Sequence, residues 1–238
     1  MIMKKILVPI LIISFLFSLL STIPSVLAAN RSKNVQEYIF TLRIAPDALS
    51  NIHGSEKIAT SVYPPLTDNS MSNPDYSRLR YHWKSIINYF INPENIFGFD
   101  TFLILNTIMA SANTWDEATS SKVFNVPIIA DNLQAGIHDG KNVISWGFSN
   151  QANAIAATYI WAKGSKILET DCMLNTEYAW TISTNGAPGT MDLQNIISHE
   201  FGHWCGLKDL YYSQDFWLTM YGYAGYGTTN KYLWDLGK

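Results

Sequence analysis

Charge and cysteine are both scarce in this 238-residue sequence. Charged residues make up 15% of it and the formal net charge is −3. Basic residues neither cluster nor alternate with aromatics, so no nucleic-acid partner is expected. No internal repeat and no low-complexity tract occurs, which excludes solenoid and propeller arrays. No dense acidic run of the EF-hand kind is present either, so nothing in the pattern itself calls for calcium. No cysteine precedes Cys172, and only Cys205 follows it. After His203 there is no histidine and no glutamate.

What is present is apolar. Hydrophobic residues make up 47% and aromatic residues 13% of the chain, enough to bury a real core and too much for a disordered one. Lys4 and Lys5 precede an uncharged apolar run over residues 6–20, and Val26-Leu27-Ala28 supplies small residues for cleavage. Residues 1–28 therefore read as an export signal cut after Ala28. An uncleaved anchor is the rival, because the apolar stretch continues to about Leu27, near bilayer length. Pro9, Pro24 and the serines between them favour cleavage. Both readings place the remaining residues outside the cytoplasm, secreted or anchored, with no membrane contact beyond this segment. In that setting Cys172 and Cys205 are candidates for a disulfide.

Residues 29–75 are mixed and include the turn-rich run YPPLTDNS at 63–70, so they read as a pro-segment or N-terminal extension. Residues 76–238 read as the domain proper. Strands are expected at 85–91, 125–130 and 142–148, and a hairpin pair at 157–162 and 166–174 around Lys163-Gly164-Ser165. Asp100 can cap a helix carrying Leu103, Ile104, Met109, Ala112 and Trp115 inward. Residues 184–190 (TNGAPGT) read as a loop, and Asp192 caps a second helix running to about Cys205. Strand, helix, several strands and a final helix make an α+β (mixed α/β) domain.

The second helix carries the chemistry. His199 and His203 are four residues apart, so their rings leave one helical face a turn apart. That spacing suits two imidazole ligands on one Zn2+, and Glu200 between them suits a general base acting on water. A catalytic zinc needs a third protein ligand. Downstream only Asp209, Asp215 and Asp235 can supply a carboxylate, unless His138 or an upstream acid folds in. Gly206 can end the helix and turn the chain back, which makes Asp209 the choice and Asp215 the second. Cys205 lies about 200° round the helix from His203 and should face away from the metal. Trp204 reads as packing.

The run HEFGHWCGLKDL resembles the zinc motif of metzincin metalloproteases, in particular the matrixin-like secreted peptidases of microbes, in the form with Asp as third ligand. Asp171 to Thr176 with Tyr178-Ala179-Trp180, Thr114 to Thr119, and Leu218-Thr219-Met220-Tyr221-Gly222-Tyr223 are similar to flanking parts of that family. The resemblance covers residues 81–223. It implies a twisted, mostly parallel sheet with an antiparallel edge strand, and an active-site helix. It implies a floor beneath the metal formed by Met220, and a cleft edged by residues 166–174 that pairs with extended substrate. It also implies a secreted endopeptidase acting on extracellular protein or peptide. Calcium sites are frequent in the family, so Ca2+ comes in through the resemblance alone. Three departures stand out. A cysteine switch is excluded, because no thiol lies in residues 29–75. Tyr221 and Tyr223 do not match the tyrosine spacing some members use, and no role is assigned to them. The family's helix after the methionine is not evident, so the expectation is a domain cut short at its C-terminus. The competing functions are a zinc protease of another clan using Asp215, and a noncatalytic adhesion module that retains the helix. Nothing in the sequence speaks to oligomeric state.

Overall fold

A computed structural model describes residues 34–45, 76–183 and 185–231. The expected export signal at 1–28, most of the 29–75 extension and Asp235 lie outside the described residues.

Asp100 caps helix α1 (Thr101–Thr119), its carboxylate accepting from the backbone N–H of Phe102 at 2.9 Å and Leu103 at 3.2 Å. Ile104, Ile108, Ser111, Ala112 and Trp115 form the inward stripe at helical spacing. Leu103 and Met109 were expected there, but Leu103 is exposed and Met109 only half-buried. The stripe follows Ile104, one position later. Helix α2 (Leu193–Trp204) packs against α1, tied by Trp115 Nε1 donating to Ser198 O at 2.8 Å.

Seven strands form the main sheet: β1 (Gln36–Ile44), β2 (Phe90–Ile91), β3 (Ile128–Ile129), β4 (Val143–Gly147), β5 (Ala154–Lys163), β6 (Lys166–Asn175) and β9 (Tyr223–Ala224). A short parallel pair, β7 (Trp180–Thr181) and β8 (Met191–Asp192), brackets the loop before α2. The main order is β3-β2-β4-β6-β5-β1-β9. Every neighbouring pair is parallel except the two that involve β5. The domain is therefore mixed α/β with a mostly parallel sheet.

Three expectations need correction. The antiparallel strand is β5, and it is interior, because β1 and β9 continue the sheet beyond it. The 85–91 and 125–130 segments form only the short strands β2 and β3, although the carbonyls of Ile87, Tyr89 and Ile91 accept from Asn125, Ile128 and Ala130 N and extend the pairing. Most consequential is β1. Residues 36–44 belong to the sheet and to the compact unit that begins at Asn34, not to a separate extension. Tyr38, Phe40, Leu42 and Ile44 alternate along it, and Leu42 and Ile44 enter the main hydrophobic cluster. Among the described residues no helix is long and apolar enough to cross a membrane.

Candidate metal centre

Asp192 caps α2 by accepting from Asn195 N at 2.9 Å, and the helix carries His199, Glu200 and His203 into a site where all three are 0% exposed. Each imidazole is oriented from behind. His199 Nδ1 lies 2.8 Å from Thr219 O, and His203 Nδ1 lies 2.9 Å from Leu207 O. A carbonyl only accepts, so each Nδ1 carries a hydrogen, and in its neutral form each ring leaves Nε2 as a lone pair for a cation. The two rings stand nearly perpendicular, at 88°, with centroids 4.9 Å apart.

The helix stops where the sequence allows it. Gly206 takes φ of 89°, and Leu207 N bonds back to Gly202 O at 2.9 Å. The reversed chain brings Asp209 Oδ1 to 3.1 Å from His199 Nε2 and 3.4 Å from His203 Nε2. Ligand atoms of His199, His203 and Asp209 all lie within 4.8 Å of one another. None of His199 Nε2, His203 Nε2 and Asp209 Oδ1 has a hydrogen-bond partner, although all are buried.

Two bare nitrogens facing one carboxylate oxygen repel unless a cation or a proton lies among them. The donor set of two imidazole nitrogens and one carboxylate oxygen fits zinc. Without a cation, burial drives His199 down to about 4. Burial acts the same way on His203, but Asp209 outweighs it and holds His203 above its ordinary value. Burial would raise Asp209, yet the two histidines hold its carboxyl far below the usual carboxylate range. Both orienting carbonyls, the glycine turn and Asp209 arise within a few residues of the helix end or in the segment zipped to it.

Glu200 lies beside this group. Its Oε2 accepts from the Thr158 hydroxyl at 2.6 Å, while Oε1 is buried without a partner. Burial lifts its carboxyl to about 7, against the pull of His203 and Thr158. Thr158 belongs to β5, so β5 rather than β6 runs beside Glu200. The expectation that residues 166–174 edge the cleft is thereby corrected: β6 is enclosed between β4 and β5.

Met220 is 3% exposed and presses on the α2 backbone at Gly202. A Cβ at Gly202 would overlap Met220 Sδ and lie 3.0 Å from both Met220 Cε and Trp115 Cζ2. The methionine segment is zipped to the Asp209 segment through Leu210 N to Met220 O at 2.8 Å and Gly222 N to Leu210 O at 2.9 Å. One turn thus supplies the carbonyl that orients His199 and the side chain that packs against Gly202.

The other ligand options are placed elsewhere. Asp215, in the 3-10 helix Ser213–Trp217, accepts from Tyr212 N at 3.1 Å and caps that helix. His138 stacks on Trp161 and lies 3.6 Å from Glu169. Cys172 and Cys205 are both free thiols, so the disulfide considered above does not form. Cys172 is buried in the core at the middle of β6, whereas Cys205 closes the end of α2.

Several contributors carried no sequence signal. Thr158 becomes a partner of Glu200 only through strand placement. Gly222 leaves room for the Tyr211 ring, and burial, with the charge of the nearby Asp209, holds the Tyr211 hydroxyl above its ordinary pKa. Lys231 is wholly buried, and its Nζ donates to Tyr221 O and, at 3.4 Å, to the same Thr219 O that orients His199. Burial lowers its pKa to about 7, partly offset by Asp209 and Glu200. Phe40 of β1 stacks on His203 with centroids 4.6 Å apart. Only β1 left a trace in the sequence, the alternation of Tyr38, Phe40, Leu42 and Ile44. Compared with protein-family models and with curated proteins, the chain matches none.

Proposed function

We propose that this protein is a zinc-dependent endopeptidase. The observation that carries the reading is the convergence of three buried, partnerless ligand atoms, from His199, His203 and Asp209, next to a buried carboxylate with one free oxygen, Glu200 Oε1. Buried polar atoms are normally paired, so four orphans at one point ask for a missing cation and a missing reactant.

Zinc held by His199, His203 and Asp209 would supply Lewis-acid polarisation of a carbonyl and make water at the site more acidic. Glu200 Oε1 takes the proton from the attacking water and returns it to the departing amine. Thr158 holds the other carboxylate oxygen, so the base presents one oxygen in one direction. Thr219 O and Leu207 O keep both imidazoles in the tautomer that leaves Nε2 open. Met220 and Lys231 hold the turn that bears Thr219. On the strength of the signal pattern at residues 1–28, the substrate is protein or peptide outside the cytoplasm.

The test is a peptide-library digest read by mass spectrometry, with zinc-loaded protein, chelated protein and Glu200→Gln. Cleavage by the first alone supports the proposal. Zinc bound at one equivalent with no cleavage supports a noncatalytic metal-binding module instead.

A further inference from the structure

The carbonyls behind the two histidines differ in origin. His203 Nδ1 meets Leu207 O, which belongs to the turn that ends α2 itself. Leu207 is fixed locally, its N–H bonding back to Gly202 O at 2.9 Å. His199 Nδ1 instead meets Thr219 O, carried by a separate segment. A shift of the Thr219 turn relative to α2 therefore disturbs His199 and leaves His203 in place.

Lys231 spans the gap between that turn and the helix. Its backbone N–H donates to Asn195 Oδ1 at 2.7 Å, and Asn195 precedes His199 by four residues, on the same face of α2. Its Nζ reaches the turn, donating to Tyr221 O and, at 3.4 Å, to Thr219 O. A carbonyl oxygen has two lone pairs, and Thr219 O thus serves His199 with one and Lys231 with the other. Asn230, the residue before, anchors the same segment through Nδ2 to Phe216 O at 2.9 Å.

Packing alone does not account for a lysine here. Lys231 is 0% exposed and Asn195 1% exposed. Burying an amine is costly unless its hydrogens are taken up, and a methionine would fill similar space without that cost. The acceptors are the carbonyls on either side of Met220, and the Tyr221 ring lies 5.7 Å from Nζ. Asn195 Nδ2 is buried without a partner, so the contribution of this amide is its oxygen, and that oxygen is bonded to Lys231 N. Met220 holds the turn against Gly202, and Leu210 joins it to the Asp209 segment. The Lys231 tie is different, because it ends on the orienting carbonyl itself.

We infer that Lys231 is a positioning residue of the metal centre, a strut between Asn195 and the Thr219–Tyr221 turn that fixes Thr219 O behind His199 and so sets how tightly the centre holds zinc. Metal affinity is thereby tied to a segment that supplies no ligand, and displacement of residues 230–231 loosens His199 before His203. The inference rests on the zinc reading of the proposed function and not on peptide cleavage.

The test uses full-length protein and two readouts. One is Zn2+ affinity by competition with a chromophoric chelator. The other is the Nδ1–H proton resonances of His199 and His203 in zinc-loaded protein made with isotope-labelled histidine. Lys231→Met keeps the length of the side chain and removes the donor. Zinc affinity falls about tenfold, the lower end of the effect of partners that orient metal-bound histidines. The His199 resonance shifts and exchanges faster, while that of His203 stays. Asn195→Ala cuts the strut at its other end and weakens zinc in the same direction; added to Lys231→Met it has little further effect, because the two act as one unit. Unchanged affinity and an unchanged His199 resonance in Lys231→Met overturn the inference, whatever its denaturation midpoint, since Lys231 is then a core residue only. Equal changes at His199 and His203 overturn it as well, because they report general loosening. If Lys231→Met fails to fold, Asn195→Ala decides alone, and wild-type affinity in that variant overturns the strut. Wild-type protein that takes up no zinc sinks the metal reading itself and the inference with it, an outcome distinct from equal affinity in wild type and variants.

Discussion

The Thr158 hydroxyl donates to Glu200 Oε2 at 2.6 Å, and this bond joins the interior antiparallel strand to the base of the centre. It selects which carboxylate oxygen remains free and favours the charged form of Glu200 against burial. Thr158→Val keeps the shape and removes the donor. Loss of a hydrogen bond to a charged group costs about 1.5–3 kcal/mol, so on the proposed peptidase activity kcat/KM falls roughly 10- to 100-fold. Without that donor the charged form of Glu200 loses a stabilising partner, so the acid limb of the pH–rate profile moves to higher pH. Thr158→Ser restores both. A Thr158→Val enzyme with an unshifted profile would refute the assignment.

Asp209 and Asp215 separate cleanly. Asp209→Asn removes the anionic ligand and should weaken zinc by more than the roughly 10–100-fold typical of an outer partner. Asp215→Asn should retain one equivalent of zinc and lose about 1 kcal/mol of stability through the weakened cap on Tyr212 N. Zinc content after dialysis and a thermal melt report the two effects, and the reverse pattern would reinstate Asp215 as the ligand.

Gly202 should resist the usual rule for helix interiors. Gly→Ala in an exposed helix gains up to about 1 kcal/mol from propensity. At Gly202 the new methyl would strike Met220 Sδ and crowd Trp115, so Gly202→Ala should cost about 1–3 kcal/mol from overpacking. Chemical denaturation of the chelated protein measures this apart from zinc. Met220→Ala in the same background relieves the clash and recovers part of the loss.

Asp116 predicts a pH dependence of stability. Burial works to raise its pKa, but Lys122 Nζ at 2.6 Å and the N–H groups of Val123 at 2.7 Å and Phe124 at 3.2 Å outweigh it and hold it below 3.8. A depressed folded pKa gives stability that is present above the unfolded value and lost as pH falls through the folded one. Asp116→Asn should therefore lower the denaturation midpoint at pH 7, and the gap to wild type should close below about pH 4. A gap that is constant with pH would show that the contribution is packing alone.

The helices were the most legible part of the fold, because both start at an aspartate cap and their signals are local. The hairpin of β5 and β6 was legible for the same reason, since its two strands meet across Gly164. Long-range partners were not. Nothing local to residues 36–44 says that they pair with residues 154–163, and the alternation there is equally compatible with any sheet edge. The interior position of β5 follows from that one unseen pairing, whereas β6 is enclosed by β4 and β5 whatever lies beyond them.

In the site, His199, Glu200 and His203 were set by the sequence alone, because helical periodicity dictates which residues share a face. Asp209 was nearly as accessible, since the chain can reverse at Gly206 and few other acids follow. Everything that tunes those residues was decided by tertiary structure: Thr158 on Glu200, Thr219 O on His199, Lys231 on Thr219 and Phe40 over His203. These are contacts between segments separated by many residues, and strand order and packing create them where no local pattern can record them.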